Sequence, residues 1–175
     1  MRMTTRLLAV ACLALVACSP KYNWRDYASP DAGYRVTFPA KPSSATRSID
    51  LDGMRVNMTM TAAEVDGATF AVGAAEAPDA ARARTALDAM QRALLRNIGA
   101  TGATVARKQA ASAPAGGDSR ASLDVDATGP GPAPMRLVGH FEARGTRFYQ
   151  VIVVGKDKNV PPEQIDQFLT SFTLP

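Results

Sequence analysis

The chain has one histidine, and the residues around it are those whose types and spacing could do chemistry. His140 and Glu142 alternate on one face of a strand-like run. Ser122, Asp124 and Asp126 alternate the same way on a run that precedes it. An imidazole beside two carboxylates could hold a surface metal ion or act as a general acid–base pair. Arg120 and Arg136 share that face and supply counter-charges, so an ion-paired, solvated sheet face accounts for the same residues. A Ser-His-Asp triad needs its serine in a sharp turn. The sequence has no Gly-x-Ser-x-Gly elbow, and Ser122 falls in mid-strand. His-Glu-x-x-His, a phosphate-cradling glycine loop and a dinucleotide fingerprint are also absent. The residues therefore read as non-catalytic, with no metal and no cofactor; a hydrolase using His140 is the remote alternative.

Two further groups invite a binding role. Met54, Met58 and Met60 form a row that could bind a soft metal or an adaptable partner, but a core stripe explains it more simply. Tyr22, Trp24 and Tyr27 lie in residues 18–33, a polar, Pro/Gly-punctuated stretch that reads as a lipidated tether. They are candidate anchors for a protein partner, since Trp and Tyr dominate interface hot spots. They serve equally well as a lid packed on the domain.

The amino terminus addresses the chain. Arg2 and Arg6 precede an apolar run, Leu7 to Ala17, followed at once by Cys18. Eleven residues are too few to span a bilayer, which needs about 20, so residues 1–17 read as a signal peptide. Leu15-Val16-Ala17-Cys18 resembles the lipobox of bacterial lipoproteins, which implies a diacylglyceryl group on the Cys18 sulfur. Two or three acyl chains anchor a protein stably where one does not. With Ser19 rather than Asp after the cysteine, the resemblance implies the outer membrane, facing the periplasm.

Composition narrows the rest. Without Arg2 and Arg6 the balance is 18 basic to 16 acidic residues, net +2. No like-charge block or basic stripe with interleaved aromatics is present, so nucleic acid is not an expected partner. Cys12 leaves with the signal and Cys18 is alkylated, so the domain has no disulfide staple and depends on its core.

The elements that must position these residues follow from periodicity. Residues 34–39, 54–61, 101–111, 119–128 and the run from Met135 to Phe141 alternate as strands. Asp52-Gly53 predicts a type I′ hairpin. At Val65-Asp66-Gly67 a three-residue loop pairs Met60 with Val72 and Ala62 with Phe70, keeping Phe70, Val72 and Ala74 on the methionine face. Pairing 119–128 with the run from Met135 sets Asp126 opposite Arg136 and Arg120 opposite Glu142. Residues 82–98 form an amphipathic helix with Asp79 as N-cap and Gly99 at its end. Residues 146–154 are apolar on both faces and predict a central, doubly covered strand. A last helix starts at Pro161-Pro162 and directs Ile165, Phe168, Leu169 and Phe172 inward. The order gives an α+β fold: an antiparallel sheet of about seven strands with two main helices, in one domain over 34–175.

Tyr34-Arg35-Val36-Thr37-Phe38-Pro39 with Lys41-Pro42, Arg144-Gly145-Thr146-Arg147-Phe148-Tyr149-Gln150-Val151 and Phe168-Leu169-Thr170-Ser171-Phe172 resemble the Mog1/PsbP-like α/β/α domains. Tyr22-Asn23-Trp24-Arg25 after the cysteine is similar to proteobacterial envelope lipoproteins. The resemblance implies a binding or assembly module and transfers no catalytic residue. The expected function is a membrane-anchored periplasmic lipoprotein that binds an envelope partner. The alternative is a carrier of an apolar small molecule held between sheet and helix.

Overall fold

A computed structural model describes residues 21–100, 105–110, 120–159 and 161–175. The signal segment 1–17, Cys18 and the turn expected at Ala113–Gly117 lie outside these residues, as do the two ends of the strand expected at 101–111. Among the described residues nine strands and two α-helices form, in the order β1 (Arg25–Ser29), β2 (Tyr34–Phe38), β3 (Ser43–Leu51), β4 (Met54–Val65), β5 (Ala68–Glu76), α1 (Ala80–Asn97), β6 (Val105–Ala110), β7 (Arg120–Thr128), β8 (Met135–Arg144), β9 (Arg147–Lys156) and α2 (Pro162–Ser171). This is an α+β fold. Seven strands make one antiparallel sheet, ordered β3-β4-β5-β9-β8-β7-β6; β1 and β2 pair as a separate two-stranded ribbon. Residues 34–38 thus leave the main sheet. Residues 25–29, read as part of a polar tether, form a strand against them.

β9 is the middle strand, and its alternation is apolar both ways because both faces are covered. Phe148 and Ile152 enter a core beneath α1, whose inward side is Ala83, Ala86, Leu87, Met90 and Leu95. Tyr149, Val151 and Val153 enter a second core with Phe70 and Val72 of β5, Phe38 of β2, and Ile165 and Phe168 of α2. Tyr149 meets Phe172 at 5.8 Å between ring centroids.

Local chemistry sets the helix limits. The Asp79 carboxylate accepts from Arg82 N at 2.8 Å, an N-cap bond. At the other end Gly99 has φ +69°, and the amides of Gly99 and Ala100 donate to Arg96 O and Leu95 O. That is a Schellman ending, and the left-handed residue it needs favours glycine.

Two expected registers are corrected. β4 and β5 join through a two-residue turn with Asp66 at φ +54° and Gly67 at +73°, so Met60 pairs with Gly73, not Val72, and Ala63 with Phe70. Phe70, Val72 and Ala74 therefore face the second core with Thr61, away from Met54, Met58 and Met60. The alternation assumed one wet face; β5 is dry on both, so the flip exposes nothing. At Asp52-Gly53 both residues have positive φ, as a type I′ turn requires.

Between β7 and β8 the register sits two residues from the expected one. Asp126 is opposite Val138 and Arg120 opposite Arg144. The loop is two residues longer than the expected pairing implies, closed by Gly129 N donating to Met135 O at 2.7 Å. Gly129 also passes so near helix α1 that a Cβ would lie 2.1 Å from Ile98 O. A two-residue shift leaves every side chain on its face, so Arg136–Asp126 and Arg120–Glu142 still meet, diagonally.

Candidate functional site

His140 projects from β8 on the same sheet face as α2 and the β1–β2 ribbon, beyond the strands they cover. Its Nδ1 lies 2.6 Å from Asp124 Oδ1 on β7, directly opposite in register. Its Nε2 lies 3.3 Å from Glu142 Oε2, two residues along its own strand. Glu142 Oε1 is 2.8 Å from Arg120 Nε, an ion pair by distance that lacks hydrogen-bond alignment. Beside them Arg136 grips Asp126 through Nε at 3.0 Å and Nη2 at 2.9 Å, with Asp157 at 3.7 Å.

The face is not simply solvated. The Glu142 side chain is 4% exposed and that of His140 is 26% exposed. Burial acts against the charged ring, but the bonds to Glu142 and Asp124 outweigh it and hold the His140 pKa above the usual imidazole range. Burial likewise acts against the Glu142 carboxylate; His140 and Arg120 outweigh it and hold that pKa below the usual range. With a carboxylate at each nitrogen, the ring is best satisfied as an imidazolium that donates twice.

That arrangement fixes what the cluster can do. A general base needs a free nitrogen lone pair, and both nitrogens face carboxylates. Ser122 pairs with Glu142 across the ladder rather than with the ring. Asp124 and Glu142 meet opposite edges of the imidazole, so the three cannot converge on one ion; among the described residues no metal-competent group of His, Cys, Asp and Glu occurs. The cluster ties β7 to β8.

The aromatic candidates pack on the domain. Trp24 stacks with Tyr22 at 6.2 Å and meets the fully buried Phe70 edge-on at 6.4 Å. Tyr27 meets Phe38 edge-on at 5.7 Å and Tyr34 at 6.1 Å. All three rings are half-buried. Asn23 N donates to Pro39 O at 2.8 Å, Lys21 pairs with Asp66, and the Tyr149 hydroxyl donates to Ala32 O at 2.8 Å. Residues 21–33 are a strap on the second core. Met58 is buried in the first core, and Met54 and Met60 pack half-buried against it.

A hydroxyl cluster was not foreseen. Tyr34 donates to Thr61 at 3.1 Å, and the Thr61 and Ser44 hydroxyls are 2.8 Å apart. Burial raises the Tyr34 pKa, and Thr61 is 1% exposed. These bonds join the ribbon to β3 and β4. Only the β5 register, which turns Thr61 inward, would have exposed them to sequence reasoning.

The surface depressions are open grooves of about 180 to 470 Å³. One of about 370 Å³ lies between the Asp52-Gly53 turn and α1, over Leu51, Met54, Ala86 and Ala89. Met135 is the one large hydrophobic side chain classed as exposed among the described residues. No protein-family model and no curated protein matches this sequence.

Proposed function

We propose that this chain is an outer-membrane lipoprotein, held by acyl chains on Cys18 and facing the periplasm, whose single domain acts by binding an envelope partner rather than by catalysis. The observation that carries this reading is the strap. Trp24 packs on Phe70 of the second core and residues 25–29 pair with β2, so the chain is part of the fold within a few residues of the proposed anchor at Cys18. The commitment of both His140 nitrogens to carboxylates favours binding over acid–base chemistry. We read the domain as Mog1/PsbP-like, on the motifs quoted above and on a sheet with a helix on each face. Tyr27, half-buried beside an open groove of about 380 Å³ that includes Arg35 and Thr37, is the strap residue best placed to meet a partner.

The test combines fractionation with crosslinking. Cys18→Ser is expected to release the protein from membranes or leave it unprocessed; unchanged membrane association refutes the anchor. A photo-crosslinking residue at Tyr27 is expected to capture a defined envelope protein, whereas one on the outer side of α1, at Asp88, is not. Equal yields at both positions overturn the binding surface.

A further inference from the structure

We infer that the end of the domain bearing the Asp66-Gly67 turn rests directly on the bilayer, so that the domain stands in one orientation instead of swinging on a tether. This deepens the lipoprotein reading and rests on acylation of Cys18. Lys21 is three residue steps from Cys18, a reach of roughly 10 Å when fully extended. Beyond Lys21 the chain has no slack. Lys21 is paired with Asp66, Asn23 is hydrogen-bonded to Pro39, Trp24 is packed on Phe70, and from Arg25 the chain is a strand. A surface held within roughly 10 Å of an embedded diacylglyceryl group has little room to turn away from the headgroups.

The chemistry of that end fits the seat. Asn159 donates to Asp66 O at 2.8 Å, and Gly155 pairs with Ala68, so Lys156 and Lys158 lie beside the same turn. Three of the chain's five lysines therefore gather there, all exposed. Lysines near headgroups attract anionic lipid. Lys21 is paired with Asp66, and Asp157, Glu64 and Glu163 balance Lys156 and Lys158, so this end has no net positive charge and the two lysines meet headgroup phosphates as individual ammonium donors. Short reach sets the orientation, and Lys156 and Lys158 supply local headgroup contacts.

The opposite end then faces the periplasm. β5 runs nine residues from Ala68 to Glu76, roughly 30 Å at 3.3 Å per residue. The β8–β9 turn, with Arg144 and Arg147, lies beside Glu76 at that far end.

Trp24 is the chain's single tryptophan and reports the seat. The experiment uses the full-length, cell-processed protein in phosphatidylethanolamine/phosphatidylglycerol vesicles doped with dansyl-phosphatidylethanolamine. Strong energy transfer from Trp24 is expected. Inserting twelve Gly/Ser residues between Pro20 and Lys21, about 19 Å of added r.m.s. span, is expected to lower it at least twofold without changing the melt. Hydrogen exchange on vesicles is expected to slow at residues 64–68 and to stay unchanged at the β8–β9 turn. Equal transfer with and without the insert, or slowing at both ends alike, overturns the seat. Mass spectrometry of the same sample separates the two failures. Acylated protein without the contact refutes the orientation alone, whereas protein lacking acylation at Cys18 refutes the parent reading and the seat with it.

Discussion

The two faces of the main sheet are closed in different ways. Beneath α1, one eighteen-residue helix with an N-cap and a Schellman ending supplies the cover, and small alanines let it lie close. The other face is closed by three pieces from both ends of the chain: the strap, the β1–β2 ribbon and α2. Its cover is aromatic: Trp24 and Phe168 meet Phe70, Tyr34 and Phe172 meet Tyr149, and Phe38 and Tyr27 pack on those covering rings. A single helix suffices where its own caps and apolar stripe agree. Short segments lacking that internal support must interlock through large rings instead. Where they stop, over β7 and β8, charged side chains satisfy one another.

The sharpest way to break this comparison is at the centre of β9, where the faces are one residue apart. Val151 is fully buried toward the aromatic cover and Ile152 is 4% exposed toward α1. Val151→Asp and Ile152→Asp are each expected to cost more than about 3 kcal/mol, because each buries a carboxylate without a partner. Thermal and urea melts check this. A mild effect of either one means that its face is wet.

How much of this was legible in the sequence depends on the same asymmetry. β9 and α1 were readable because the signal is local: two-sided apolarity, a 3.6-residue stripe, an Asp N-cap and a terminal Gly. The outward set of β7 was readable too, since its alternation survives a two-residue register shift. The β4–β5 register was not, because alternation locates a face only when one side is wet, and β5 has none. Nor was the burial of Glu142 legible. It depends on elements far away in sequence, and a Glu in an alternating strand looks the same whether covered or not. The strap's rings were visible as a group, but whether they dock inward or outward is a question of tertiary packing.

A smaller break tests the composite cover by itself. Trp24→Ala removes the ring that packs on Phe70. Fully buried Trp or Phe truncations cost about 3–5 kcal/mol, so this half-buried one is expected to cost about 2–3. Hydrogen exchange is expected to rise in β1, β2 and α2 while α1 stays protected. Equal loosening of α1 would mean that the two covers are not independent.

The smallest effect concerns the open end of the second face, where His140 holds β7 to β8. His140→Ala removes one charged partner of the buried Glu142, which keeps Arg120, and is expected to cost about 1–2 kcal/mol near neutral pH. The pH dependence identifies the cause. The folded pKa of His140 is raised, so the stability it contributes is full below the ordinary value of 6.5 and is lost as pH rises through the raised value. The folded pKa of Glu142 is lowered, so its contribution is full above the ordinary value of 4.5 and is lost as pH falls through the lowered value. The penalty of His140→Ala is therefore expected to be largest between these limits, around pH 5–6, and to shrink toward pH 9. His140→Gln, which keeps a donor but cannot charge, is expected to recover part of the loss and to flatten the alkaline limb. A penalty independent of pH would make the ring a packing group. Charge pairing would then not be what joins β7 to β8 beyond the reach of the aromatic cover.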